Sequence, residues 1–270
     1  MLRRRPTIIA YHRVIDDREP PWLISALSGE AISQSNLAAQ LRWLSRFYAI
    51  VPISEIVENI GDTKPRIAIT FDDGFKDNLD NALPVLKALN LPATLFAVSN
   101  HIDSEHTFAH HRAARLIVES NPSLEGKTPK RQLRHFMTNE DYDVPVDERD
   151  RFMTSAELSS WAKQGFAVES HGQSHTPIAE LSEDQIKNEL SASKDRLESI
   201  CENKIQYFAF PIGKDEHMSR RDLIEAAGYK AAFSSIYASV SANTDRYAIP
   251  RICMRESLSR SRRFLRSLKD

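Results

Sequence analysis

Short β-branched and aromatic runs recur along the chain and alternate with stretches whose apolar residues fall three and four apart. The strand candidates are "TIIAY" (7–11), "YAIV" (48–51), "IAITF" (67–71), "ATLFAV" (93–98), "FAVES" (166–170), "YFAFP" (207–211), "AAFSS" (231–235) and "AIPRI" (248–252). Near-continuous apolar runs of this length are the pattern of strands buried on both faces. Between them, "NLAAQLRWLSRF" (36–47) sets Leu37, Leu41 and Leu44 on one helical face, and "NALPVLKAL" (81–89) predicts a shorter helix ending near Asn90. After Ser182, "EDQIKNELSASKDRLESI" carries Gln185 at capping-box spacing and aligns Ile186, Leu190 and Leu197. This alternation predicts an α/β fold with a parallel sheet, read as one domain over 1–270.

Two stretches break the rhythm. Residues 101–150 are polar, hold five of the nine histidines (His101, His106, His110, His111, His135) and end in "NEDYDVPVDERD". They are expected to form an insertion with one or two helices, a candidate lid. The tail "RESLSRSRRFLRSLKD" (255–270) predicts a basic helix, solvated or lying on an anionic membrane surface.

Composition adds little. Hydrophobic residues make up 41% and charged residues 27%, ordinary for a globular protein, and a net charge of −1 gives no global pull toward nucleic acid. Two cysteines, Cys201 and Cys253, exclude a disulfide framework. No stretch reaches the roughly 20 apolar residues of a membrane span. The opening "MLRRRPTIIAYHRV" has too short an apolar run for a signal-peptide core. A cytoplasmic location is the expectation, peripheral to the inner membrane face if the tail binds lipid. Oligomeric state is not readable.

The chemistry collects where candidate strands end. "ITFDDGF" (69–75) sets two carboxylates side by side at a strand end, where they repel and lose solvation. A metal ion, a shared proton or a basic group must compensate. His12 follows the first strand, and His171 and His175 follow "FAVES". Pro211, Ile212 and Gly213 follow "YFAF", and Arg251 lies in the last candidate. In a parallel barrel these carboxyl ends converge on one face, where such barrels build active sites. Asp73, His171 and His175 suit zinc or another divalent transition ion. Asp72 is then free to act as general base, or it caps the turn at Gly74. His12 is a candidate acid for a leaving amine, or a buried histidine bonded to backbone.

"TFDDG", "SHGQSH" and "FAFPIG", in that order, resemble the polysaccharide deacetylase family, also called NodB-homology or carbohydrate esterase family 4. "YHRV" before an amphipathic helix resembles the branch with the poly-N-acetylglucosamine deacetylases. The resemblance covers most of 7–100 and 151–252. It implies a distorted (β/α) barrel that deacetylates N-acetylated sugars. It also implies that Asp72 is the base and that Asp73, His171 and His175 bind the metal, most readily Zn2+, with Co2+, Ni2+ or Mn2+ as alternatives. The third motif implies a backbone N–H for the oxyanion, falling on Ile212. The late histidine that acts as acid in most members has no counterpart after His217; resemblance to the branch that begins with "YH" implies that the early histidine, here His12, takes that role. Ala209 stands where many members carry a base-orienting Arg, and Arg251 is the candidate replacement. Glu169 occupies a usually small or apolar position, and either points outward or contacts substrate. Activity is expected to fall in acid as His171 and His175 protonate.

The expected partner is an N-acetylated carbohydrate: a polysaccharide, oligosaccharide or glycolipid precursor. Two other readings stay open. The same site cleaves another amide or an O-acetyl ester, or the scaffold has decayed into a non-catalytic sugar-binding protein.

Overall fold

The computed structural model describes residues 5–27, 30–120, 146–213 and 220–256. Its ten strands among these residues are β1 (Thr7–Tyr11), β2 (Arg13–Ile15), β3 (Ala31–Ser33), β4 (Ala49–Ile50), β5 (Arg66–Asp73), β6 (Thr94–Ala97), β7 (Ala167–Ser170), β8 (Tyr207–Ala209), β9 (Ala231–Phe233) and β10 (Ile252–Cys253). The α-helices are α1 (Pro21–Ala26), α2 (Gln34–Leu44), α3 (Ile53–Glu58), α4 (Leu83–Leu89), α5 (Ala109–Ser120), α6 (Ser155–Lys163), α7 (Glu183–Cys201) and α8 (Arg221–Ala226).

Every pairing in the main sheet is parallel, in the order β10-β1-β5-β6-β7-β8-β9, with β4 also on β5. Ile249 bridges Phe233 in parallel, and Ile252 pairs with Ile9 three residues later. The segment 249–253 therefore spans from β9 to β1 and brings the sheet round to a distorted barrel.

Side-chain alternation sorts the two faces. Ile67, Ile69 and Phe71 join the cluster that holds Leu37 and Leu41 of α2, Leu86 of α4, Trp161 of α6 and Leu190 and Leu197 of α7. Ala68, with Ile8, Phe96, Tyr207 and Phe233, forms a second cluster plugged by Ile53, Ile56 and Val57 of α3. The first is the helix-covered outside, the second the barrel interior. Asp72 follows the parity of Ala68 and Thr70, so it faces inward.

Helix ends follow local chemistry. Ser182 and Gln185 close a capping box on α7, and Thr154 and Glu157 close another on α6. Asn90 ends α4 with φ +52. A π-helical turn, Asn78–Ala82, precedes α4. Polar side chains in and next to it serve β2: Asp77 accepts from Val14 N, Asn78 donates to His12 O, and Asn81 donates to Val14 O.

Within residues 101–150, Ala113, Ala114, Ile117 and Val118 of α5 pack with Leu23, Ile24 and Leu27. Residues 121–145, with His135, and the tail from 257 onward lie outside the described residues. Among the described residues no helix is long and apolar enough to cross a membrane, and Cys201 and Cys253 are free.

Candidate active site

The carboxylate pair ends β5, and the two side chains diverge because Asp73 leaves the strand. Gly74 N donates to Asp72 O at 3.0 Å across Asp73, whose φ is +76. This γ-turn is of the strained hand. The same device recurs at Ile212: Gly213 N donates to Pro211 O at 2.7 Å, and Ile212 has φ +64. His175 also sits at φ +63. A β-branched residue at positive φ is a genuine outlier, and such strain concentrates at functional sites. No sequence pattern announced it.

Asp72 is buried and gripped by Arg251. Nη1 donates to Oδ1 and Nη2 to Oδ2, both at 2.7 Å. Arg251 also donates to Ser234 O and Thr70 Oγ1, and its guanidinium lies 5.2 Å from the Phe96 ring centroid. Burial pushes the Asp72 carboxyl up, but Arg251, His171 and His12 outweigh it and hold it below the usual carboxylate range. His12 Nε2 lies 3.9 Å from Asp72 Oδ2, with a quarter of its side chain exposed. Its backbone carbonyl is fixed by Asn78, while the ring is open to the cleft.

Asp73 Oδ1 is buried and has no hydrogen-bond partner. His171 Nε2 stands 3.6 Å and His175 Nε2 3.3 Å from it, without hydrogen-bond alignment. Ala209 O accepts from His171 Nδ1 at 2.8 Å, so the proton sits on Nδ1 and the Nε2 lone pair faces Asp73. Burial pushes His171 down to about 4, against the pull of Asp72. An orphaned carboxylate oxygen facing an imidazole lone pair repels it unless a cation lies between them. The residues therefore fit a divalent metal.

A second cluster, Glu30, His110 and His111, has ligand atoms equally close together but different chemistry. Glu30 Oε2 lies 3.1 Å from His110 Nε2 and 3.2 Å from His111 Nε2, in hydrogen-bond geometry. Arg13 Nη1 approaches His111 Nδ1 at 3.3 Å. A guanidinium only donates, so Nδ1 accepts and Nε2 carries the proton toward Glu30. That group is already satisfied without a cation; it fastens α5 to the loop before β3.

Ile212, next to last in the third motif, is 48% exposed. Among the described residues, no acceptor meets its backbone N–H. Glu169 neither points outward nor lines this cleft. It is buried, and its Oε2 accepts from Gln206 N and Tyr207 N, both at 2.7 Å. Sequence reading also passed over Glu30 and Arg13. An arginine between His12 and the apolar pair Val14-Ile15 was the available signal.

The structure thus gathers Asp72, Asp73, His12, His171, His175 and Arg251 into one contact set, with the Ile212 turn at the same carboxyl edge of the sheet. A parallel barrel with carboxylates and imidazoles at that rim belongs to the class that builds its active sites there. The chain belongs to the polysaccharide deacetylase family, whose profile matches residues 59–232. It is similar to YxkH of Bacillus subtilis (strain 168), 21% identical over 243 residues, 88% of this chain and 71% of that one. It is also similar to the poly-beta-1,6-N-acetyl-D-glucosamine N-deacetylase of Staphylococcus epidermidis (strain RP62A). That match is 33% identical over 104 residues, 35% of this chain and 36% of that enzyme. Its fold is similar to that of the Streptococcus pyogenes deacetylase PplD in complex with acetate. That comparison has a TM-score of 0.66 and 16% identity, covering 94% of each chain.

Proposed function

We propose that the chain is a metal-dependent hydrolase that removes N-acetyl groups from an N-acetylated sugar in a polysaccharide, oligosaccharide or glycolipid precursor. The observation that carries this is the orphaned Asp73 Oδ1 between two imidazole nitrogens, beside an ionised Asp72. Membership in the family and similarity to a named β-1,6-N-acetylglucosamine polymer deacetylase support the substrate class.

Asp73, His171 and His175 would hold the cation, most readily zinc. When bound, it supplies a Lewis acid that polarises the acetyl carbonyl and makes water more acidic. Asp72 takes the proton of the attacking water. Arg251 keeps that carboxylate ionised and fixes its plane, and leaves lone pairs on Oδ1 and Oδ2 outside the guanidinium fork. The Ile212 N–H holds the negative charge that develops on the acetyl oxygen. His12, beside Asp72 Oδ2 and open to the cleft, protonates the departing amine.

Acetate release from N-acetylglucosamine oligomers tests this reading, run with wild type, Asp72→Asn, and wild type with chelator. Release by wild type that both controls abolish supports it. Release that persists in chelator removes the metal from the reading. No release by metal-loaded protein rejects the substrate class.

A further inference from the structure

The loop between the two candidate metal-binding histidines is held from beneath by one carboxylate that the proposed chemistry does not use. Glu189 lies on α7, on the buried stripe that also carries Ile186, Leu190, Ser193 and Leu197. It is 5% exposed. Its Oε1 accepts from Gln173 N and Ser174 N, each at 2.7 Å. Ser174 Oγ lies 3.0 Å from its Oε2 and donates to the same carboxylate. Three donors from consecutive residues converge on one buried side chain.

The loop makes room for it. Gly172 has φ +84, and a Cβ there would stand 2.8 Å from Glu189 Oε1. One turn further along α7, Ser193 Oγ donates to Gly172 O at 2.9 Å. Gly172 and Gln173 also offer their carbonyls to Ser99 N and Asn100 N. The first histidine has its own anchor, the bond from Nδ1 to Ala209 O. The second has none of that kind and sits at φ +63, directly after Ser174. Its ring position depends on the path of residues 172–174.

We infer that Glu189 is a positioning residue that sets the His171–His175 loop so that His175 Nε2 faces Asp73 Oδ1. The inference rests on the metal-site reading above. Removing the carboxylate takes the shared acceptor away from the Gln173 and Ser174 N–H groups. The loop then turns to find other partners, and His175 moves with it while His171 stays on Ala209 O. Partners that orient metal ligands typically matter ten- to a hundredfold in affinity.

The experiment is titration of the metal-free full chain with cobalt(II), read by visible absorption. Wild type is expected to bind one equivalent, and Asp73→Asn is expected to lose it, which locates the ion. Glu189→Ala is expected to raise the cobalt Kd about ten- to a hundredfold and to change the absorption band. Glu189→Gln keeps an acceptor oxygen and is expected to restore most of the affinity. Against a His175→Ala background, Glu189→Ala is expected to add no further loss; against His171→Ala it adds its full effect. A general structural defect would weaken both backgrounds alike and would overturn the inference. Glu189→Asp keeps the charge but withdraws the acceptor. It decides the matter if the alanine variant does not fold. Wild-type cobalt affinity in either variant overturns the positioning role alone. A wild type that binds no cobalt overturns the metal reading and this inference with it.

Discussion

Asp72 is a carboxylate that the protein has taken trouble to keep charged. Burial alone would neutralise it, and Arg251 reverses that with two parallel hydrogen bonds. The two residues are 179 positions apart, so only the barrel closure at 249–253 lets them meet. Arg251→Lys keeps a positive charge but not the fork. Its expected effects are a fall in kcat/KM of roughly ten- to a hundredfold, equivalent to about 1.4–2.7 kcal/mol, and an upward shift of the Asp72 carboxyl, read by carbon-13 NMR of the metal-free protein because protonation of His171 and His175 also shapes the acid limb of the rate profile. The direction follows from linkage: with less stabilisation of its anion, Asp72 titrates higher, so the ionised base is lost at a higher pH on acidification. An Asp72 carboxyl that does not move would show that Arg251 sets packing and not the base. Gly213 is a second test at this scale. A Cβ there would stand 2.6 Å from Ser235 N, and Gly213 itself is at φ +63. Gly213→Ala should therefore push the Ile212 turn off the 234–235 loop. Loss of acetate release together with a lowered unfolding free energy, by about 1–3 kcal/mol for an overpacked contact, is the outcome to look for in paired activity and urea measurements.

Among the elements, β7 and β8 show what the barrel asks of its strands. They share only the Ser170 to Phe208 register before they part. Glu169 fills the gap: its side chain accepts the Gln206 and Tyr207 N–H groups that no neighbouring strand reaches. The sequence shows a charged residue inside an apolar strand, but not that it faces the barrel interior, because parity along a four-residue strand depends on register. Burial is the largest influence on this carboxyl and pushes it up to about 8 from an ordinary 4.5; the two backbone donors oppose the shift without cancelling it. The folded chain therefore keeps a proton that the unfolded chain gives up between about pH 4.5 and 8. The group's contribution to stability is greatest below that window and declines as pH rises through it. Glu169→Gln keeps the acceptor oxygen and cannot ionise. It is expected to match wild type near pH 5 and to exceed it near pH 8.5 by on the order of 2–4 kcal/mol. Urea unfolding at the two pH values checks this. An equal difference at both would mean that Glu169 is ionised in the fold throughout.

At the scale of the whole molecule, the long periodic segments were legible and the short irregular ones were not. The first strand, the capping box on α7 and the Leu37–Leu41–Leu44 face follow from local pattern, because each is decided by neighbours in sequence. The two-stranded β2–β3 pair escaped, since three-residue strands carry no period. So did α6, although Thr154 and Glu157 spell its start. The site's residue types were readable at the strand ends, but the γ-turns, the orphaned Asp73 oxygen and the Arg251 fork exist only once distant strands are paired. The anchorage of the 101–150 stretch is of the same kind. Arg13, fully buried next to the candidate acid His12, bonds Asp77 of the barrel and reaches Asp150, Arg149 O and His111 of the inserted segment, with Phe75 beneath its guanidinium. Arg115 of α5 completes the network through two bonds to Asp150. Arg13→Met would leave Asp77 with no cation and Asp150 with one. Breaking a buried pair from one side costs about 3–5 kcal/mol, so a fall in Tm on the order of 10 °C is expected for a chain of this size. Arg13→Lys cannot reproduce four directed contacts and should recover only part of it. If the network couples the insertion to the cleft, proteolysis will also strike within 101–150 in Arg13→Met at temperatures where the barrel is still folded. Cleavage there no faster than in wild type would mean that α1 and the apolar face of α5 hold the insertion without help from the charges.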